Sequence, residues 1–193
     1  MATSEIQICS NALLLLGSAS INAFSEDATN LCTNLWETVR QGTLRMANWQ
    51  CARKRTVLAP LATTPDGEDW TYEMQLPSDW LRIVAVGNQN EPINYEVEGR
   101  RMLCNEAAPR LRYVYDNMDV PSWDSLLTEA VTLHMAWLLS YPITGSSTKT
   151  DQLGGQLTAL LKIARGVNHS EAPGETIGDR PLKNSRYLLG SRF

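Results

Sequence analysis

The first 39 residues contain no lysine or arginine, yet they carry Glu5, Glu26, Asp27 and Glu37, so they alone account for the net charge of -4. Residues 40–193 balance, with 17 basic and 17 acidic side chains. A protein that grips nucleic acid over a broad face needs a basic footprint, and this chain has none overall. Cysteine is sparse. Cys9, Cys32, Cys51 and Cys104 lie far apart with no C-x-x-C pair, which argues against a zinc site and for reduced thiols in a chain made in a reducing cytoplasm. The apolar run Ala12–Leu16 is far short of a membrane span, and Glu5 stands where a signal peptide would be positive. There is no G-x-x-x-x-G-K-[ST] or G-x-G-x-x-G phosphate loop and no G-x-S-x-G elbow. The two histidines, His134 and His169, cannot build a metal site without help. No cofactor is implied.

What is present is periodicity. Ser4-Glu5-Ile6-Gln7 has the form of a capping box, and Ile6, Cys9, Leu13 and Leu16 then recur at helical spacing up to Gly17. Ser25 caps a second predicted helix with Ala28, Leu31, Cys32, Leu35, Val39 and Met46 as its buried stripe. After Trp49 the period becomes that of strands: Thr56–Pro60, Trp70–Leu76, Leu81–Val86, Ile93–Val97, Arg101–Cys104 and Leu111–Tyr115. Trp70–Leu76 and Leu81–Val86 read as a hairpin, with Pro77-Ser78-Asp79 as its turn. Helix returns at Ser122, apolar over most of its surface and expected to end at Pro142, and a fourth is predicted over Thr150–Arg165. His134, inside the third helix, reads as a hydrogen-bonded core histidine. From Gly166 the period is lost, although the end, Tyr187-Leu188-Leu189 and Arg192-Phe193, is apolar enough to dock on something.

The fold class expected is therefore α+β. Residues 1–54 and 121–168 supply a bundle of two helical pairs, residues 55–120 an inserted small antiparallel β-domain, and residues 169–193 an extended tail. Six tryptophans against two phenylalanines suit cores and interfaces alike.

Two sets of residues bear on chemistry. The acid pairs Glu68/Asp69, Glu96/Glu98 and Asp116/Asp119 offer two carboxylates each, as glycan hydrolysis requires, and Glu96 and Glu98 share a strand face. A tail-associated glycan hydrolase is thus the alternative reading; acids on a solvated strand are the commoner one. The basic run Arg53-Lys54-Arg55 follows Trp49 and suits phosphate contact with base stacking, solvated charges at a helix-to-strand junction, or an acidic protein partner. The negative net charge favours the protein partner.

Taken in order, "SNALLLLGSASINAFSED", "NLWETVRQGTLRMANWQCARKRTVLAP", "YEMQLPSDWLRIVAV", "INYEVEGRRMLCNEAAPRLRYVYDN" and "WDSLLTEAVTLHMAWLLSYPITGS" span nearly the whole chain. This order resembles the adaptor, or gatekeeper, proteins of short-tailed phages, the tail tubular protein A family. The resemblance implies a structural protein of the virion neck, without an active site and made in the host cytoplasm. Such a protein forms a ring, described as twelve-fold, between the portal protein and the tail nozzle protein, with DNA only passing through the lumen and no membrane involved. It also implies a helix bundle carrying a small β-domain and a carboxy-terminal extension that reaches the portal. Tyr187, Leu188, Leu189, Arg192 and Phe193 are then the candidate portal contacts, because aromatic and Arg side chains commonly anchor interfaces. Pro77, Ser78 and Asp79 are candidates for a subunit or nozzle interface.

Overall fold

The computed structural model describes residues 4–18, 28–63, 65, 69–88 and 91–170. Four helices and seven strands follow in the order α1 (Glu5–Leu15), α2 (Ala28–Met46), β1 (Arg53–Val57), β2 (Tyr72–Gln75), β3 (Trp80–Asn88), β4 (Glu91–Pro92), β5 (Tyr95–Glu98), β6 (Arg101–Cys104), β7 (Arg110–Tyr115), α3 (Ser125–Thr144) and α4 (Ser147–Ser170). The fold is α+β, with the strands inserted between two helical pairs.

Ser4 caps α1 as expected, its Oγ accepting from the Gln7 amide at 3.2 Å. Gly17, at φ +81°, closes α1 in a Schellman motif, with the Ser18 and Gly17 amides on the carbonyls of Leu13 and Leu14. In α2 the buried side chains include Cys32, Trp36, Val39, Thr43 and Leu44, whereas Leu31 is 41% exposed. Of the expected stripe, Cys32 and Val39 are buried and Leu35 and Met46 pack against the same core, and Trp36 is buried too, stacked on Trp123 with ring centroids 6.2 Å apart. Ser25 lies outside the described residues.

Two helix boundaries differ from expectation. Pro121 and Ser122 sit in a 3-10 turn, Val120–Ser122, and α3 starts one turn later, where Asp124 Oδ1 caps the Leu127 amide at 2.6 Å. Pro142 lies inside the last turn of α3, where its missing N–H removes a single hydrogen bond. The helix stops instead at Gly145, φ +64°, whose amide bonds the Tyr141 carbonyl at 2.9 Å. The fourth helix is longer than predicted and runs through Ser170. Tertiary bonds hold the added turn: Asn168 is buried, and its carbonyl accepts from Gln50 Nε2 at 3.2 Å. α3 is the central element. Val131 through Ala136 are all buried, and α1, α2 and α4 pack around it.

The strands form two antiparallel sheets, a four-stranded one ordered β1-β7-β3-β4 and a three-stranded one ordered β2-β6-β5. The hairpin expected across Pro77-Ser78-Asp79 does not exist. β2 pairs with β6, β3 pairs with β7 and β4, and the Pro-Ser-Asp segment crosses from one sheet to the other. Alternation specifies which face of a strand is buried but says nothing of its partner, and two strands on either side of a short turn can serve opposite layers. The layers meet in one core: Leu111, Tyr113 and Val86 from the first sheet, Met74, Met102 and Cys104 from the second. Where the first sheet nears the helices, Leu81 and Val114 join the helical core. The insert is therefore a small sandwich fixed to the bundle by one end of one sheet.

Candidate functional site

The Pro77-Ser78-Asp79 crossover is knitted into its own fold. Arg100 Nη2 donates to the carbonyls of Pro77 and Ser78 at 2.9 and 2.8 Å. Asp79 accepts from Lys54 Nζ at 2.6 Å and from Tyr113 Oη at 3.1 Å, and its carbonyl takes the Asp116 amide at 2.8 Å. Burial pushes the Asp79 carboxyl up, but the Lys54 and Tyr113 hydrogen bonds outweigh it and hold the group below its ordinary value. The Tyr113 phenol is pushed up to about 12 by burial and by Asp79. Lys54 also stands 3.9 Å over the Tyr115 ring. These bonds make the crossover a joint between the two sheets; only Ser78 is exposed.

The outer faces of the sandwich differ in charge. On the four-stranded sheet, register sets Arg53, Arg55 and Val57 of β1 opposite Val114, Arg112 and Arg110 of β7. Arg53 and Val114 lie at the end held by the bundle, while Arg55, Arg110, Arg112 and Val57 line an open groove of about 430 Å³. No carboxylate among the described residues is ion-paired with any of these four arginines. Burial, then Arg112 and Arg55, push the Arg53 guanidinium below its ordinary value. Val57 is 60% exposed.

On the three-stranded sheet the register aligns Glu73, Leu103 and Glu96 in one rung, and Gln75, Arg101 and Glu98 in the next. Arg101 pairs with Glu73 at 2.5 Å, and Thr63 Oγ1 also donates to it at 2.9 Å. Glu96 and Glu98 remain exposed, Glu96 accepting from Trp70 Nε1 at 3.1 Å. Two opposite faces of one small domain thus carry opposite charge.

The acid pairs are placed in different surroundings. Asp116 is buried in a two-pronged ion pair with Arg40, at 2.8 and 2.9 Å, and accepts from Gln41 as well, while Asp119 is exposed. Glu96 and Glu98 stand on the open sheet face, Asp69 is exposed, and Glu68 lies outside the described residues. His134 is a core histidine, with Nδ1 2.8 Å from Thr43 Oγ1. All four cysteines are free, and Cys9 and Cys32 neighbour each other across α1 and α2, the hydrogen bond to Cys32 raising the Cys9 thiol. Among the described residues, no group of three or more His, Cys, Asp or Glu could hold a metal ion, and no helix is long and apolar enough to cross a membrane.

Tyr187, Leu188, Leu189, Arg192 and Phe193 lie outside the described residues. Of the basic run, Lys54 is engaged with Asp79, while Arg53 and Arg55 share a sheet face with two arginines that sequence reasoning passed over, Arg112 directly opposite Arg55 and Arg110 opposite Val57. The signal for them was the alternation in Arg110-Leu111-Arg112-Tyr113, where each apolar residue faces the core and each arginine faces out. Neither a scan against protein-family models nor a search of curated proteins returns a match.

Proposed function

We propose that this chain is a structural protein, the adaptor subunit of a phage head-to-tail connector. In this role copies form a ring that joins the portal to the tail nozzle, and DNA passes through its lumen. The observation that carries this reading is the order of elements: a helical pair, a small two-sheet insert, and a second helical pair, as the resemblance to the adaptor family implies. Exposed apolar side chains support it too. Leu14 and Leu15 end α1 at 54% and 45% exposure, and Ile163 and Val167, one turn apart on α4, stand 59% and 40% exposed. Adjacent bare apolar pairs of this kind suit contact surfaces.

The test is electron microscopy and native mass measurement of the purified protein mixed with the portal protein of the same particle. A ring on the portal is the expected result; no complex over a wide concentration range would overturn the proposal. Deleting residues 185–193 should leave thermal unfolding unchanged and weaken portal attachment. A lower unfolding temperature would mean that the segment packs on its own domain instead.

A further inference from the structure

We infer that the arginine face of the four-stranded sheet is a subunit interface, and that its occupant is the Glu96/Glu98 face of a second copy of this chain. The inference deepens the ring proposal and rests on it. Arg55 and Arg112 are direct cross-strand partners, and Arg110 lies one rung further along the same face. Like charges placed directly opposite oppose pairing, so such a face is stabilised by an anion from outside the domain. The described residues supply none as an ion pair.

Both charge and chemistry select the occupant. Val57, the last residue of β1, is exposed in the groove beside Arg55, Arg110 and Arg112, an apolar side chain among arginines that suits a protein interface rather than a phosphate track. The matching surface is on the same molecule. Glu96 and Glu98 protrude from the outer face of the other sheet, and Glu73 beside them is already neutralised by Arg101. Because the sheets pack face to face, their outer faces point in opposite directions. One patch meeting a different patch is a heterologous, head-to-tail contact, which generates a closed ring when its rotation closes.

A charge exchange tests this directly, in sedimentation velocity and native mass measurements on the full chain, with and without the portal. Arg55→Glu/Arg110→Glu alters one face and Glu96→Arg/Glu98→Arg the other; the milder Arg110→Ala and Glu98→Ala guard against misfolding. The wild type should self-associate, less so at high salt. Each reversed variant alone should associate at least about tenfold more weakly, and each Ala variant by a smaller step. An equimolar mixture of the two reversed variants should regain assembly, in mixed particles, since every junction is again opposite in sign. If both reversed variants assemble as the wild type does, the inference is wrong and the ring proposal stands. If the wild type forms no assembly alone or on the portal, both fall. If Arg55→Glu/Arg110→Glu assembles normally but loses low-salt binding to duplex DNA, the face belongs to phosphate and the inference is overturned.

Discussion

Thr43 Oγ1 donates its only proton to the Val39 carbonyl at 2.8 Å, so its contact with His134 must be donated by Nδ1–H. The imidazole is thereby fixed as the neutral Nδ1–H tautomer. It is 6% exposed, and burial lowers its pKa from the ordinary 6.5. Since the unfolded chain then binds more protons below that value, the contribution of His134 to stability is constant above about pH 6.5 and falls as pH drops toward the folded pKa. Urea denaturation at about pH 8 and about pH 5 checks this: the midpoint should be lower in acid, and His134→Gln should flatten that difference. Replacing Thr43 with Val leaves the Nδ1–H buried without an acceptor and should cost about 1–3 kcal/mol at neutral pH. An unchanged midpoint in Thr43→Val would mean that the hydrogen bond is not made.

The helix pair α3–α4 shows how a neighbour decides the meaning of a residue. Gly154 and Gly155 are adjacent in α4 and equally costly to a helix on their own. A Cβ on Gly154 would stand 3.1 Å from Trp137 Nε1, whereas one on Gly155 would meet nothing within 4 Å. Gly155→Ala should therefore stabilise by about 1 kcal/mol, raising the unfolding temperature by about 2–4 °C, and Gly154→Ala should gain less because Trp137 must move aside. Equal gains would mean that the Trp137 contact carries no constraint. The same limit explains what was legible beforehand. Helices and most strands announced themselves through apolar periodicity, which is local. The Trp70–Val86 stretch did not reveal that its two strands belong to different sheets, because the partners, Arg101–Cys104 for one and Arg110–Tyr115 for the other, come later in the chain. The arginine face was hidden for the same reason: Arg55 and Arg112 are 57 positions apart and meet only through register.

At the scale of the molecule, the sandwich and the bundle are joined by few polar contacts, and they are concentrated at one end of the four-stranded sheet. Arg82 of β3 donates to the Ala47 carbonyl and to Asn48 just beyond α2, and Asn117 reaches from the end of β7 to the Cys51 carbonyl. The largest of these joints is Arg40 of α2 with Asp116 after β7, both side chains below a tenth exposed. Removing one member leaves the other charge buried without its partner, which costs about 3–5 kcal/mol, whereas replacing both with apolar groups of similar volume is often close to neutral. Asp116→Leu should accordingly lower the stability by about that amount, and Arg40→Met/Asp116→Leu should recover most of it. Tryptophan fluorescence in a urea titration measures both effects, and it also locates them. Trp36, Trp49 and Trp123 report the bundle core, while Trp80 packs against the sandwich core. If the pair serves mainly as the joint, single variants should split the transition, with each part unfolding at its own midpoint, and the double variant should restore one transition. A single variant that unfolds in one step with an unchanged midpoint would show that the remaining contacts, Leu81 and Val114 with the Arg82 and Asn117 hydrogen bonds, hold the sandwich on the bundle.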